Sequence, residues 1–171
     1  DSLGSLAYLT SVPGRMQMVH GHPERAQIIV DYAHTPDALA SALAALRPAA
    51  TGKLVVLFGC GGDRDTGKRA EMGHIASSGA DQVFVTDDNP RTEDAASIRA
   101  AIIAACPTAI EIASRDKAIA AALASVGSGD VLLIAGKGHE MFQLLGNESL
   151  PFNDAAIASH LMVQMQKEAV Q

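Results

Sequence analysis

The sequence of 171 residues has little of what marks a nucleic-acid-binding, membrane-spanning or exported protein. Its formal net charge is −6 and no run of Lys or Arg exceeds two residues, so it lacks the basic surface that binds nucleic acid or an anionic membrane. No apolar run approaches the roughly 18 residues of a membrane span, and the N-terminus has no basic region followed by an apolar stretch. We therefore expect a cytoplasmic protein whose partners are small molecules.

Cysteine is scarce, and the histidines show no metal-binding pattern. Cys60 and Cys106 have no CxxC neighbour and no His at metal-ligand spacing. We expect both to be reduced thiols, as in a cytosolic protein, rather than a disulfide. The six histidines lack HExxH or Cys/His zinc spacing, so we expect no metal site formed by this chain alone.

A complete phosphate-binding motif is also missing. Gly-Lys occurs three times, but the residues that follow are Leu54, Arg69 and Gly138 rather than the Ser or Thr of a P-loop. Residues 59–64 begin like a GxGxxG fingerprint but end in Arg64 instead of glycine. The chain therefore does not carry its own cradle for a nucleoside triphosphate.

The sequence does contain a regular alternation of two kinds of segment, and its 48% apolar residues are enough to fold residues 1–171 as one domain. Short runs rich in Val and Ile alternate with Ala-rich segments whose apolar residues recur at three- and four-residue steps. This pattern predicts an α/β fold, in which a mostly parallel sheet is covered by helices on both faces. The predicted strands are residues 28–30, 54–58, 83–85, 109–112 and 131–135, and the predicted helices are residues 36–46, 68–78, 94–105, 115–125 and 154–167.

Local signals mark helix starts and hairpins. Thr35 before Pro36 is typical of an N-cap followed by proline at the first helical position, and Ser114 is a second candidate cap. Gly146-Asn147 between two apolar runs predicts a C-terminal hairpin. The predicted hairpins join residues 15–19 to 28–30 around Gly21, and residues 141–145 to 149–152 around Gly146-Asn147.

Polar segments follow four of the predicted strands, and the carboxyl ends of parallel strands lie at one edge of a sheet. The four segments are residues 31–37, 59–65, 86–91 and 136–140. Each segment taken singly has an ordinary explanation as a turn or a helix cap. Together they predict a polar ligand site, because solvent-facing turns do not need Arg, Lys, His and several carboxylates each time.

The charged residues of these segments suit a zwitterion. Arg64 and Arg91 can each bind a carboxylate or phosphate through the planar guanidinium, and Asp88 and Glu140 can accept hydrogen bonds from an ammonium. The alternative is that the charges near Arg64 only neutralise one another on the surface. Those neighbouring charges are Asp63, Asp65, Lys68 and Arg69.

The same segments carry the motifs of a known family in its order. They are Gly14-Arg15-Met16, Asp31-Tyr32-Ala33-His34-Thr35-Pro36-Asp37, residues 59–69, Asp88-Asn89-Pro90-Arg91 and Gly136-Lys137-Gly138-His139-Glu140. In these motifs the sequence closely resembles the C-terminal domain of the Mur ligases, specifically the type that adds the third residue of the peptidoglycan peptide. The glycine turns are weak evidence singly, whereas the Asp-Asn-Pro-Arg and Gly-Lys-Gly-His-Glu segments are specific in combination.

The resemblance implies an ATP-dependent ligase of three domains, of which this chain matches the third, a Rossmann-like domain. Residues 1–13 would be a possible interdomain segment. The central domain of such a ligase carries the P-loop and holds most of ATP and Mg²⁺, which explains the missing motif. The full-length enzyme is then expected to add meso-diaminopimelate to UDP-N-acetylmuramoyl-L-alanyl-D-glutamate, and the isolated domain is expected to be inactive.

The resemblance also implies roles for individual residues. Those implied to bind meso-diaminopimelate are Arg64, Asp88, Asn89, Pro90, Arg91, Gly136 and Glu140. Those implied to reach ATP are Arg15, Asp31, Tyr32 and His34, and Arg15 is also the candidate catalytic residue that stabilises transferred charge. Diaminopimelate differs from lysine by a second carboxylate beside its distal ammonium. The prediction of diaminopimelate rather than lysine as the substrate therefore depends on the pair Asn89 and Arg91.

Two alternatives stand beside this interpretation. The chain could belong to a lysine-adding Mur enzyme or to a folylpolyglutamate-type ligase, or it could be a small-molecule-binding domain without catalysis. The sequence departs from the common family pattern at Ala70, Met141 and Asn153. These positions lie beside the implied ligand residues, so the departures bear on loop shape more than on function.

Overall fold

The computed structural model describes residues 12–169. The predicted interdomain segment, residues 1–13, lies outside the described residues except for its last two positions. Eight strands are present in the described part: β1 (Gln17–Val19), β2 (Gln27–Asp31), β3 (Leu54–Phe58), β4 (Gln82–Val85), β5 (Ile110–Glu111), β6 (Val131–Ala135), β7 (Phe142–Leu145) and β8 (Glu148–Pro151). Five helices accompany them: α1 (Pro36–Leu46), α2 (Gly67–Gly79), α3 (Ala95–Ile103), α4 (Arg115–Ala124) and α5 (Asp154–Glu168).

Six strands form one sheet in the order β1-β2-β6-β3-β4-β5. All neighbours pair in parallel except β1 and β2, which form the predicted antiparallel hairpin with Gln17 opposite Val30. The predicted C-terminal hairpin is also confirmed, since β7 and β8 pair with Leu145 opposite Glu148. The α/β class predicted from the alternation is therefore correct.

Helices cover both faces of this sheet, as predicted. Alternate residues of the buried strands point to opposite sides, so β3 sends Val56 towards one apolar cluster and Val55 towards the other. The first cluster includes residues of α1, α2 and α3, and the second includes residues of α4 and α5. Both faces of the central strands are thereby removed from water, which explains why β3 and β6 read as unbroken apolar runs.

Element ends differ from the predictions where the chain reaches an exposed edge. The strand predicted at residues 109–112 is reduced to Ile110–Glu111, and both residues are exposed, because β5 pairs only with β4 at the edge of the sheet. Helix α3 ends at Ile103 rather than Ala105, and the amides of Ala105 and Cys106 bond to carbonyls three residues back in a tighter turn. No helix within residues 12–169 combines the length and the apolarity that crossing a bilayer requires.

The two predicted helix caps have different outcomes. Thr35 caps α1 as expected: its hydroxyl oxygen accepts a hydrogen bond from the amide of Ala38 at 3.3 Å. Ser114 lies at the N-cap position of α4 but makes no side-chain cap bond, so that prediction is wrong. Its hydroxyl donates to the carboxylate of Asp116, and that carboxylate accepts the hydrogen bond from the Lys117 amide of the first turn at 2.8 Å.

A fully buried ion pair joins the starts of α4 and α5 beneath the end of β6. Arg115 donates from Nε and Nη2 to the two carboxylate oxygens of Asp154, both at 2.8 Å, and neither side chain is exposed to solvent. Nη2 also donates to the carbonyl oxygen of Ala135 at 2.9 Å. These bonds fix the last residue of β6, from which the next loop departs.

We predict that Arg115→Met destabilises the chain far more than Arg47→Met. Removing Arg115 leaves the buried carboxylate of Asp154 without a counter-charge, which costs about 3–5 kcal/mol. Arg47 forms an exposed pair with Asp81, and such pairs contribute up to about 1 kcal/mol. Urea unfolding of the two variants measures the difference, and equal losses would contradict the assigned importance of the buried pair.

Candidate functional site

Four neighbouring parallel strands, β2, β6, β3 and β4, end at one edge of the sheet, and the loops that follow them enclose a cavity of about 430 Å³. The structure therefore brings together most of the residues that were predicted to share a site. The predicted residues that line the cavity are Tyr32, His34, Arg64, Asp88, Asn89, Arg91, Gly136 and Glu140. Pro90 is buried in the same loop but does not line the cavity, and Arg15 and Asp31 lie beside it.

One end of the cavity is acidic and is built from the loops after β4 and β6. Glu140 accepts hydrogen bonds on a single oxygen, Oε2, from Asn89 Nδ2 at 2.9 Å and from Lys137 Nζ at 2.8 Å. Asp88 lies nearby with only 9% of its surface exposed, and its backbone carbonyl accepts a bond from Gln143 Nε2 at 2.7 Å. Two carboxylates thus share this end, and a buried lysine lies between the loops that carry them.

The two carboxylates differ in their ease of ionisation. Burial raises the pKa of Asp88 above its ordinary value, and the attraction of Arg115 and Lys137 offsets only part of this effect. Burial also acts to raise the pKa of Glu140, but the hydrogen bonds from Lys137 and Asn89 outweigh it and hold that pKa below its ordinary value. Glu140 therefore ionises more readily than Asp88, and Asp88 is the one that lacks an ion-pair partner of its own in the part of the chain that the structure describes.

Arg91 lines the same cavity and has a restricted backbone conformation. Its φ is +53°, a left-handed value that non-glycine residues adopt at a cost and that often marks functional positions. Its Nη1 donates to the carbonyl oxygen of Gly62 at 2.7 Å, which orients the guanidinium group. Gly62 has to be glycine, because a Cβ atom there would overlap the carbonyl group of Pro90. Pro90 therefore shapes the loop that positions Arg91.

Arg64 lies exposed on the loop after β3, and the alternative, that the charges near it only neutralise one another, does not describe their bonds. Asp63, Asp65, Lys68 and Arg69 each bond to another group. Their partners are Thr92, the amide of Gly67, the carbonyl of His34 and Glu93, respectively. The reason is that the loop folds towards the loop after β4, and the half-buried Glu93 holds it there through Arg69 at 2.8 Å.

The residues predicted to reach ATP form a small cluster at the end of β2. The guanidinium carbon of Arg15 lies 4.8 Å from the ring centroid of Tyr32, and the rings of Tyr32 and His34 are 4.3 Å apart. Asp31 accepts a hydrogen bond from the amide of Met16 at 2.7 Å. Asp31 thus fixes the turn that carries Arg15, and the cation and two rings present a surface suited to a flat, anionic ligand such as a nucleotide.

Three residues near the cavity were missed at the level of sequence. Lys137 is fully buried, Gln143 supports Asp88, and Arg115 lies behind the acidic end. Lys137 belongs to an incomplete P-loop and to a family motif in which it has no role of its own, although its spacing of three residues from Glu140 indicates an ion pair. Nothing local in the sequence marks Arg115, since its partner Asp154 is 39 positions away.

The described residues offer little for metal or thiol chemistry. No group of three or more His, Cys, Asp or Glu side chains within residues 12–169 could hold a metal ion. Cys60 and Cys106 are both buried and free, as predicted. Burial raises the pKa of Cys60 to about 11, so its thiol stays protonated and unreactive near neutral pH.

Most of the chain is similar to a known protein family. Residues 14–138 match the family described as "Mur ligase, glutamate ligase domain". The "UDP-N-acetylmuramoyl-L-alanyl-D-glutamate--2,6-diaminopimelate ligase" of Mesorhizobium japonicum is 54% identical over 153 residues, which cover 90% of this chain and 32% of that protein. The protein of the same name from Bradyrhizobium diazoefficiens is 55% identical over 162 residues, or 92% of this chain and 33% of its own length.

Solved structures agree with these matches. A structure of a "UDP-N-acetylmuramoyl-L-alanyl-D-glutamate--2,6-diaminopimelate ligase" superposes with a TM-score of 0.85 at 38% identity, over 92% of this chain and 33% of that chain. A folylpolyglutamate synthase/dihydrofolate synthase from Yersinia pestis superposes with a TM-score of 0.61 at 20% identity, over 91% of this chain and 32% of that one, and shares the fold. The chain thus spans about a third of the length of its relatives. It belongs to the Mur ligase family and matches the domain that the family description calls the glutamate ligase domain.

Proposed function

We propose that this chain is the C-terminal domain of an ATP-dependent ligase that adds meso-diaminopimelate to UDP-N-acetylmuramoyl-L-alanyl-D-glutamate in peptidoglycan synthesis. The observation that carries the proposal is the cavity in which Asp88 and Glu140 lie together with Arg64 and Arg91. Its acidic end suits an ammonium group, and its two arginines suit carboxylates. We infer the identity of the amino acid from the names of the relatives. We infer that the chain is one domain of the ligase because it covers about a third of their length.

Diaminopimelate fits this arrangement better than lysine does. Its distal carbon carries both an ammonium and a carboxylate, so it can use Glu140 and Arg91 at the same time. Lysine would leave the guanidinium of Arg91 facing no anion in a partly buried site. A site built to bond a polar group can reject a substrate that lacks it by about 10⁴-fold. Gly136, whose φ of +112° brings its backbone beside the carboxylate of Asp88, completes this end of the site.

The residues of this chain that would contact ATP form the cluster at the end of β2. Tyr32 and His34 offer rings to a nucleotide, and Arg15 offers a positive charge to a phosphate while Asp31 holds its turn in place. ATP, with Mg²⁺ and held mainly by the rest of the ligase, would supply the activation of the acceptor carboxylate. The chain itself would orient the amine of the amino acid, which is catalysis by positioning and by fixed charge.

The partners of the domain in this proposal are diaminopimelate, ATP, the uridine nucleotide substrate and the other domains of the same ligase. We place the enzyme in the cytoplasm, because such nucleotide substrates are made there. Three other functions share the fold or the cavity: a lysine-adding ligase, a folylpolyglutamate-type ligase and a binding domain without catalysis. The folate enzymes that share the fold are only about 20% identical, so they support the architecture alone.

A panel of amino-acid acceptors separates these functions. In the full-length ligase, we expect kcat/KM for meso-diaminopimelate to exceed that for lysine by about 10⁴-fold, because only the former satisfies Arg91. Product formation with lysine, glutamate and diaminopimelate is the measurement. Preference for lysine or glutamate would support one of the two other ligases, and binding of diaminopimelate without turnover in the full-length protein would support the binding domain.

Arg91→Ala tests the assigned carboxylate-binding residue. We expect kcat/KM for diaminopimelate to fall by about 10²-fold or more, since charge-assisted bonds contribute about 1.5–3 kcal/mol each. The KM for ATP should stay unchanged, because ATP is placed at the other cluster. Arg25→Ala is the matched control, since Arg25 also has a left-handed φ, of +60°, but lies in the turn between β1 and β2. Equal kinetics in the two variants would refute the role of Arg91.

Asp88→Asn should stabilise the chain increasingly as pH rises while it weakens substrate binding. Between the ordinary Asp pKa and the raised pKa of Asp88, the folded chain keeps a proton that the unfolded chain has lost. The free energy of unfolding of the unsubstituted chain therefore declines with pH in this window, whereas asparagine does not titrate. Urea unfolding at about pH 4 and about pH 8 measures this difference. A stability advantage of the variant that shrinks with pH would be the contrary result.

A further inference from the structure

Lys137 is a buried cation for which the proposed function has so far given no task. Its side chain has no exposed surface, although burying a lysine is costly unless its charge is compensated. It follows β6 directly, between Gly136 and Gly138, whose positive φ values allow the sharp turn of this loop. Its Nζ donates to Asn89 Oδ1 at 3.0 Å and to Glu140 Oε2 at 2.8 Å. The ammonium of Lys137 thus joins the loops that follow β4 and β6.

These bonds leave one orientation for the amide of Asn89. Its Oδ1 accepts from Lys137 and also from the backbone amide of Leu144 at 2.9 Å, so its Nδ2 has to face Glu140. Glu140 in turn receives both of its bonds on Oε2. Its other oxygen, Oε1, is then the acceptor that remains for a ligand in the cavity that Glu140 lines. Lys137 therefore determines which atoms of two neighbouring side chains meet the substrate.

The charges at this end of the cavity follow a simple balance. Lys137 neutralises Glu140, and Arg115 is committed to Asp154 through two bonds. Of the three carboxylates at this end, Asp88, Glu140 and Asp154, only Asp88 has no ion-pair partner among the described residues. One ammonium from a ligand would complete the balance. Without the charge of Lys137, two like charges would lie together, and protons would compete with the ligand for both of them.

We propose that Lys137 is a positioning residue for the amino-acid substrate: its buried ammonium holds Asn89 and Glu140 in their binding orientation and leaves Asp88 as the single negative charge for one substrate ammonium. This rests on the proposed function, because it takes the cavity to be an amino-acid site. Lys137 itself does not touch the substrate. A lysine that only filled space could be replaced by an uncharged chain of similar length without changing how its neighbours titrate.

The first test uses the ligand-free chain and needs no activity. Carbon-13 NMR follows the carboxyl titration of Glu140 in the unsubstituted chain, in Lys137→Met and in Lys137→Arg. We expect Lys137→Met to raise the pKa of Glu140 by about one unit or more, and Lys137→Arg to return it towards the original value, because the cation is restored. Lys53→Met is the control, since Lys53 is exposed and its ammonium donates to the backbone carbonyl of Ser125, away from the cavity. An unchanged Glu140 titration in Lys137→Met would overturn the proposal.

The groups that face Glu140 have to be followed in the same spectra, because each of them can change its titration. They are Lys137 on the same loop, Asp88 and Asn89 after β4, and Arg115 of α4, while Asp154 of α5 acts on Asp88. If Lys137→Met does not fold, Lys137→Gln replaces it, because glutamine keeps a donor for Asn89 but carries no charge. A two-dimensional amide spectrum of each variant verifies the fold before the titration.

The second test is the pH dependence of kcat/KM for meso-diaminopimelate in the full-length ligase. Substrate ammonium binds the ionised carboxylates, so a raised carboxyl pKa should shift the acidic limb of the profile to higher pH. We expect this shift in Lys137→Met, carried mainly by KM, and its reversal in Lys137→Arg. An acidic limb that stays in place, with only stability lost, would show a purely structural lysine. If the unsubstituted ligase does not use diaminopimelate, the proposed function fails, and the NMR titration still decides whether Lys137 controls Glu140.

Discussion

The parallel pairing of β6 with β2 on one side and β3 on the other is the constraint on which the rest of the structure depends. Val131 lies opposite both Gln27 and Leu54, so a strand late in the sequence occupies the middle of the sheet. This placement inserts the loop of residues 136–140 between loops that come more than 70 residues earlier. The cavity forms because the strands before these loops end at the same edge of the sheet. Its assembly therefore requires non-local contacts along nearly the whole described chain.

Charge burial around β6 connects stability to the proposed function. Arg115 and Asp154 form a closed pair that fixes Ala135, and Lys137 forms a second pair with Glu140 one step further along the chain. Buried pairs of this kind contribute little net stability compared with apolar residues, but they impose a single arrangement on the groups they join. Asp88 departs from this pattern, since its charge has no such partner. A site that binds a cation thus leaves a buried carboxylate uncompensated in the ligand-free state, which lowers the stability of the folded chain.

The elements that the sequence predicted well are those whose burial is complete. β3 and β6 were predicted with correct ends, because strands buried on both faces consist of uninterrupted apolar residues. β5 was predicted too long, since at an exposed edge pairing rather than composition determines where a strand ends. Ser114 makes no cap bond, and the carboxylate of Asp116 accepts from the Lys117 amide in its place. Such a choice of partner depends on side-chain positions that a sequence pattern does not specify.

Some features of the candidate site could likewise be predicted from the sequence and others could not. That four polar segments would share one edge followed from parallel topology, and the cavity confirms that they do. The identity of the amino acid depended on the family motifs, and its assignment to single residues stays a prediction. The spacing of Lys137 from Glu140 indicates their ion pair, but the bonds of Lys137 to Asn89 and of Gln143 to Asp88 join residues about 50 positions apart and could not be found from spacing. Buried polar networks of this kind are properties of the folded chain.

The C-terminal hairpin lies outside the main sheet and yet holds Arg91 on both sides. The amide of Arg91 donates to the carbonyl of Leu144, and the carbonyl of Arg91 accepts from the amide of Gly146. The backbone of the arginine is therefore clamped by a ribbon whose tip points into solvent. Evolution could alter the tip residues freely, whereas a shift of one residue in the pairing of β7 and β8 would move the guanidinium and so change which substrate the cavity accepts. The position of this side chain in the cavity can thus be altered from a segment outside the main sheet.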